Sequence, residues 1–231
     1  MAMNGSRKGS LVCLIGLIGL AMLTAPALAG VDPGDLTHAR AIRSEVTVRY
    51  ARTRVPRLAV TESSSTGVVE SFTLMSPDLL EERILPADNG IYYAICPVRA
   101  SCPYPALRFA RPAAELLPRR LALELALRTF LETSADVVAV SLPTPRFILF
   151  VVEREELARE VDLSILVKAL GRDPSRALSS SLEAVVDRLT RPRVYVVLGL
   201  EPTPSGRDTL VAVPRWPIAS DSGATPLLSR S

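Results

Sequence analysis

Apolar side chains recur along this chain with two periods, and the places where the period changes predict its elements. Residues 45–50 alternate, with Val46, Val48 and Tyr50 on one side, which predicts a half-buried strand. Residues 57–61 and 68–75 read as two more strands, joined by a serine-rich loop over 62–67. Ser76-Pro77 suits a cap and first helical position, so a short helix is expected over 78–83. Asp88-Asn89-Gly90 is a strong turn signal that leads into a strand over 91–96. Before residue 45, the stretch 31–41 reads as a polar lead-in.

The second half is more apolar. A helix is expected from Pro118 to about residue 133, with leucines around most of its girth. Arg120, Glu124, Arg128 and Glu132 recur every four residues and predict one solvated stripe of alternating charge. Segments 136–142 and 146–152 are nearly continuous apolar runs, as in central strands covered on both faces. Then come a helical connector over 153–160 and a helix over 163–170 that stops at Gly171. Asp173-Pro174 opens a further helix with Leu178, Leu182, Val185, Val186 and Leu189 on one face. Strands 194–200 and 209–213 close the pattern. Adjacent strand pairs separated by helices point to an α+β fold, with a mainly antiparallel sheet built from paired strands and helices packed on one face.

The first 29 residues follow a different logic. Arg7 and Lys8 precede an apolar and glycine run over 11–23, Pro26 breaks it, and Ala27-Leu28-Ala29 offers a signal-peptidase site. The expected organisation is a signal peptide at 1–29, a single α+β domain at 30–213 and a flexible C-terminal tail at 214–231. The apolar run is short for a membrane span, which needs about 20 residues, so a retained anchor is the alternative. Either way the domain is expected in a secreted or extracytoplasmic setting. Of the 27 basic residues two fall in the leader, so the remainder carries 25 against 24 acidic residues. That balance argues against a nucleic-acid partner despite the basic pI.

Outside the leader two cysteines remain, Cys96 and Cys102, and an even count in an exported chain predicts a disulfide. The small ring would contribute about 2–2.5 kcal/mol in the entropic treatment. The stretch 92–109 that contains this loop carries Tyr92, Tyr93, Arg99, Tyr104, Arg108 and Phe109. Tyrosine and arginine on a stiff frame suit a contact surface; tyrosines in a strand equally suit core packing. No catalytic residue stands out. His38 is the single histidine, which leaves no histidine-based triad or metal set. Phosphate-cradling glycine loops are missing, so no cofactor is expected. Glu153, Glu155, Glu156, Glu160 and Asp162 could serve a carboxylate hydrolase, but such a run ordinarily faces water. The leading expectation is a non-catalytic domain that binds a protein or cell-envelope component. A membrane is a partner only if the leader is retained.

Overall fold

The computed structural model describes residues 31–53, 57–67, 69–76, 81–98, 112–144, 147–171 and 173–215. In chain order they form helix α1 (Pro33–Tyr50), strands β1 (Leu58–Ser65), β2 (Val69–Met75), β3 (Glu82–Pro86) and β4 (Gly90–Pro97), and helix α2 (Pro112–Glu132). Strands β5 (Val137–Leu142) and β6 (Ile148–Glu153) follow, then helices α3 (Arg154–Glu160), α4 (Leu163–Leu170) and α5 (Ser180–Thr190). A 3₁₀ turn over Arg191–Arg193 leads into β7 (Val194–Pro202) and β8 (Asp208–Pro214). The architecture is α+β, with five helices and one eight-stranded, mostly antiparallel sheet among the described residues.

The strand order is β1-β4-β5-β6-β7-β8-β2-β3. Two joints are parallel, β4 with β5 and β8 with β2, and the rest are antiparallel. One face of β1, β4, β5, β6 and the start of β7 packs against the helices, with Tyr93, Phe150 and Leu121 among the fully buried side chains. The other face carries a second core that includes Phe72, Leu85, Tyr92, Leu149 and Leu210. Phe72 on β2 and Tyr92 on β4 line the same small cavity, although their strands stand five places apart in the sheet. A flat sheet would separate them by about 24 Å. The sheet therefore curls until its inner face closes on itself. The space left there is about 10 Å³, room for a single water. Because one face meets helices and the other meets this inner core, β5 is buried along its whole length, as its continuous apolar run predicts.

Thr66 ties the curl shut. Its N–H donates to the Gly90 C=O (2.9 Å), its hydroxyl donates to the Ala87 C=O, and its own C=O accepts from Val69 N–H (3.0 Å). One residue thus joins the ends of β1 and β3 to the starts of β2 and β4. A Cβ on Gly90 would lie 2.2 Å from the Thr66 hydroxyl oxygen, so only glycine fits there.

Several expectations change. The lead-in over 31–41 and the strand over 45–50 are one helix, α1, whose buried residues Ala39, Ile42, Val46 and Tyr50 follow helical spacing. Asp32 caps it by accepting from Gly34 N–H (2.6 Å), and Pro33 opens it. The serines of the expected loop at 62–67 extend β1, with Ser63 and Ser64 opposite Tyr93 and Tyr92. Residues 82–83 belong to β3, not to a helix; residues 77–80 lie outside the described residues. Asp88-Asn89-Gly90 turns the chain as expected but joins strands that do not pair. Helix α2 begins before Pro118 and carries that proline inside. Asp173 makes a local turn by accepting from Ser175 N–H (2.9 Å), while the helix beyond starts at Ser180 with Ser179 as its cap. At the C-terminal end, β8 runs through Pro214, and Arg215 N–H donates to the Val194 C=O (2.9 Å). Residues 214 and 215 therefore belong to the fold, and 216–231 lie outside the described residues, as do 1–30.

Candidate functional site

The expected contact segment starts from β4, and β4 is mostly core. Tyr92 points into the inner core and is 4% exposed. Tyr93 points to the helices, is fully buried, and its hydroxyl shares a hydrogen bond with Thr129 on α2 (2.8 Å). Burial pushes its phenol well above the ordinary range. Neither tyrosine offers a contact surface; both act as packing residues. Alternation explains it: neighbours on a strand covered on both faces are both buried. Arg99, Cys102, Tyr104, Arg108 and Phe109 lie outside the described residues. Cys96, 5% exposed at the end of β4, lies 3.3 Å from the Thr61 hydroxyl. The other cysteines, Cys13 and Cys102, are both outside the described residues, and the expected Cys96–Cys102 bridge falls there with them.

The acidic run does not face open water as a block. Glu153 and Glu156 both pair with Arg83 of β3. Glu156 (2.7 Å) and Glu160 also pair with Arg193 after α5. Asp162 caps α4 by accepting from Ile165 N–H (3.0 Å) and Ser164 N–H (2.9 Å), and those bonds hold its carboxyl below the usual range. These carboxylates are occupied in joining β3, β6, α3 and α5. Among the described residues no group of three or more His, Cys, Asp or Glu side chains is placed to hold a metal ion. His38, exposed on α1, meets the Glu132 C=O through Nδ1 (2.8 Å), near the end of α2.

The strongest polar cluster was not among the expected sites. Glu124, placed by the sequence on a wet stripe, is completely buried. Its carboxylate accepts from the Tyr50 hydroxyl (2.9 Å) and pairs with Arg49, both from α1. Arg49 also donates to the Gly171 C=O (2.9 Å), and buried Arg120 donates to the Leu170 C=O (2.8 Å). Burial first, and the adjacent Glu124 carboxylate second, raise the Tyr50 phenol well above its ordinary value. The cluster binds α1 and α2 to the C-terminal end of α4, where unsatisfied carbonyls carry the negative end of the helix dipole. Arg154 does the same for α2, donating to the C=O groups of Thr133 (2.7 Å) and Ala135 (2.9 Å). The missed signal was the spacing of Ala39, Ile42, Val46 and Tyr50. Read as a helix, it places Arg49 and Tyr50 against α2.

No family model, curated protein or solved structure matches this chain.

Proposed function

We propose that this chain is an exported, non-catalytic binding domain whose contact surface is the segment after β4, directed at a protein or another component of the cell envelope. The supporting observation is the frame beneath that segment. Strand β4 is held between two cores by Tyr92 and Tyr93, and the chain passes at Cys96 to the half-exposed Val98. A segment anchored on an immobile strand loses little entropy when it binds. Arg99, Tyr104, Arg108 and Phe109 form the contact set in this reading, and Tyr92 and Tyr93 form its fixed floor. Cys102 is the proposed partner of Cys96, since Cys13 would leave with the leader. Such a bridge would require an oxidising compartment, as the export reading supplies. The carboxylate-hydrolase alternative gains no comparable support, because Glu153, Glu156 and Glu160 are engaged by arginines.

The test is expression of the full chain in a bacterium with an intact export pathway. Intact mass should place the exported product at 30–231 with no free thiol. Replacing Cys96 and Cys102 with serine should open residues 97–111 to limited proteolysis while the domain still melts cooperatively. A full-length cytosolic product with both thiols reduced would overturn the proposal.

A further inference from the structure

The two edges of the sheet are finished differently. On β1, the outward backbone groups of Val60 are taken by α1: Thr47 Oγ1 accepts from Val60 N–H (3.0 Å) and donates to the Val60 C=O (3.2 Å). A helix thus covers that edge. On β3, the bonds Ser76 N–H to Glu81 C=O (2.7 Å) and Ala87 N–H to Glu70 C=O (3.0 Å) set which residues face β2. With the pairing of Leu74 to Arg83 and Phe72 to Leu85 between them, residues 81, 83, 85 and 87 turn inward. Glu82 and Ile84 then aim their N–H and C=O groups away from the sheet, with no partner among the described residues. Ile84 sits mid-strand and is 58% exposed. On the outer face, register aligns it with Thr73, Val211 and Gly199, beside the exposed Leu198. The helices pack over the other half of the sheet.

We infer that β3 is the seam of a two-fold homodimer, joined antiparallel about Ile84, so that two curled sheets become continuous. Ile84 exchanges both backbone hydrogen bonds with the partner's Ile84, and each Glu82 N–H reaches the C=O of the partner's Pro86. Charge selects this register. Only residues 82, 84 and 86 present outward groups, so the pairing can shift only between discrete settings. The adjacent setting on one side places Arg83 against the partner's Arg83. On the other side it brings Glu82 to the partner's Asp88. A further shift opposes Glu82 to the partner's Glu82. Pairing about Ile84 opposes no like charges, which are destabilising directly across strands; pairing about Pro86 opposes none either, but it has no N–H to exchange at its axis. Pro86 has no N–H to offer, which limits the seam to its centre and prevents unlimited strand addition. The seam is short, so association is reversible and concentration-dependent. It involves neither the leader nor the bridged segment, so it stands or falls separately from the export reading.

The experiment uses the mature chain in sedimentation velocity over a concentration series. The expected result is a monomer–dimer equilibrium that Ile84→Lys weakens by about tenfold or more, since it places two ammonium groups across the axis. Ile165→Lys, at an equally exposed apolar residue on α4, should leave it unchanged. Circular dichroism checks that each variant is folded. Ile84→Cys supplies a second readout that preserves an uncharged side chain. Facing Cα atoms in a hydrogen-bonded antiparallel pair lie about 5.5 Å apart, within disulfide reach, so mild oxidation should link two chains. Glu62→Cys on the covered β1 edge should not link. A protein that stays monomeric at every concentration, a dimer unaffected by Ile84→Lys, or an Ile84→Cys variant that fails to cross-link would each overturn the assignment.

Discussion

Arginine is the side chain that finishes this fold. Arg49, Arg120 and Arg154 each reach carbonyls at the end of a helix other than their own, and Arg193 reaches the Leu189 C=O (2.7 Å) at the end of α5. A planar fork with several donors can satisfy carbonyls and a carboxylate together, which an ammonium cannot match in geometry. Glu124 is the most consequential of the carboxylates so engaged. Glu124→Ala would leave Arg49 without its counter-charge and the buried Tyr50 hydroxyl without its acceptor, and we expect a loss of about 3–5 kcal/mol in denaturant unfolding. Tyr50→Phe removes one donor to Glu124 and should cost about 1–3 kcal/mol at neutral pH. The phenols of Tyr50 and Tyr93 are both raised, chiefly by burial. They stay neutral in the native state, whereas an unfolded tyrosine ionises near pH 10. Their stabilisation is whole below that pH and is lost as pH rises beyond it. Alkaline titration followed by phenolate absorbance should show both ionising only as the chain unfolds. The charged stripe on α2 was legible as a stripe. Its burial was not, because burial depends on what packs over it.

Elements were legible wherever two signals agreed. Strands β2, β4, β7 and β8 lie within one or two residues of their expected bounds, because alternation and flanking turn residues coincide there. Helix α1 was missed because its last turns, with Val46, Val48 and Tyr50, also satisfy a period of two. Six residues are too few to separate the periods, and the longer 3–4 spacing from Ala39 decides it. The stop at Gly171 was legible, although this glycine does not adopt a left-handed cap: its φ is −72°. A Cβ there would lie 3.0 Å from the Val167 carbonyl oxygen and 3.1 Å from Arg49 Nη1, so glycine makes room for the arginine. Gly90 makes a sharper test. Gly90→Ala should destabilise the domain by about 1–3 kcal/mol in thermal or denaturant melts, through overlap with Thr66. The same change in a Thr66→Ala background should cost clearly less, since the nearest atom is then gone. Equal costs in both backgrounds would show that the hydroxyl is not what excludes the side chain.

The molecule as a whole depends on contacts between distant parts of the chain. Both cores draw residues from each side of the segment 99–111, and the curl brings β2 near β4 across four intervening strands. Edge protection is equally non-local. Thr47→Val would leave the outward N–H and C=O of Val60 without partners at a cost of about 1 kcal/mol. It would also open a second edge. We expect that variant to scatter more light than the parent at equal concentration, and to do so even when Ile84→Lys blocks the β3 seam. Unchanged scattering would mean that α1 shields β1 by bulk alone. By itself the sequence determined the class of fold, the interior position of β5 and β6 and most strand bounds, because these follow from local periodicity and turn chemistry. Strand order, the closing of the sheet through Thr66 and Gly90, and the burial of Glu124 were decided only in three dimensions. Each depends on residues dozens of positions apart meeting in space, and no local period records such a meeting.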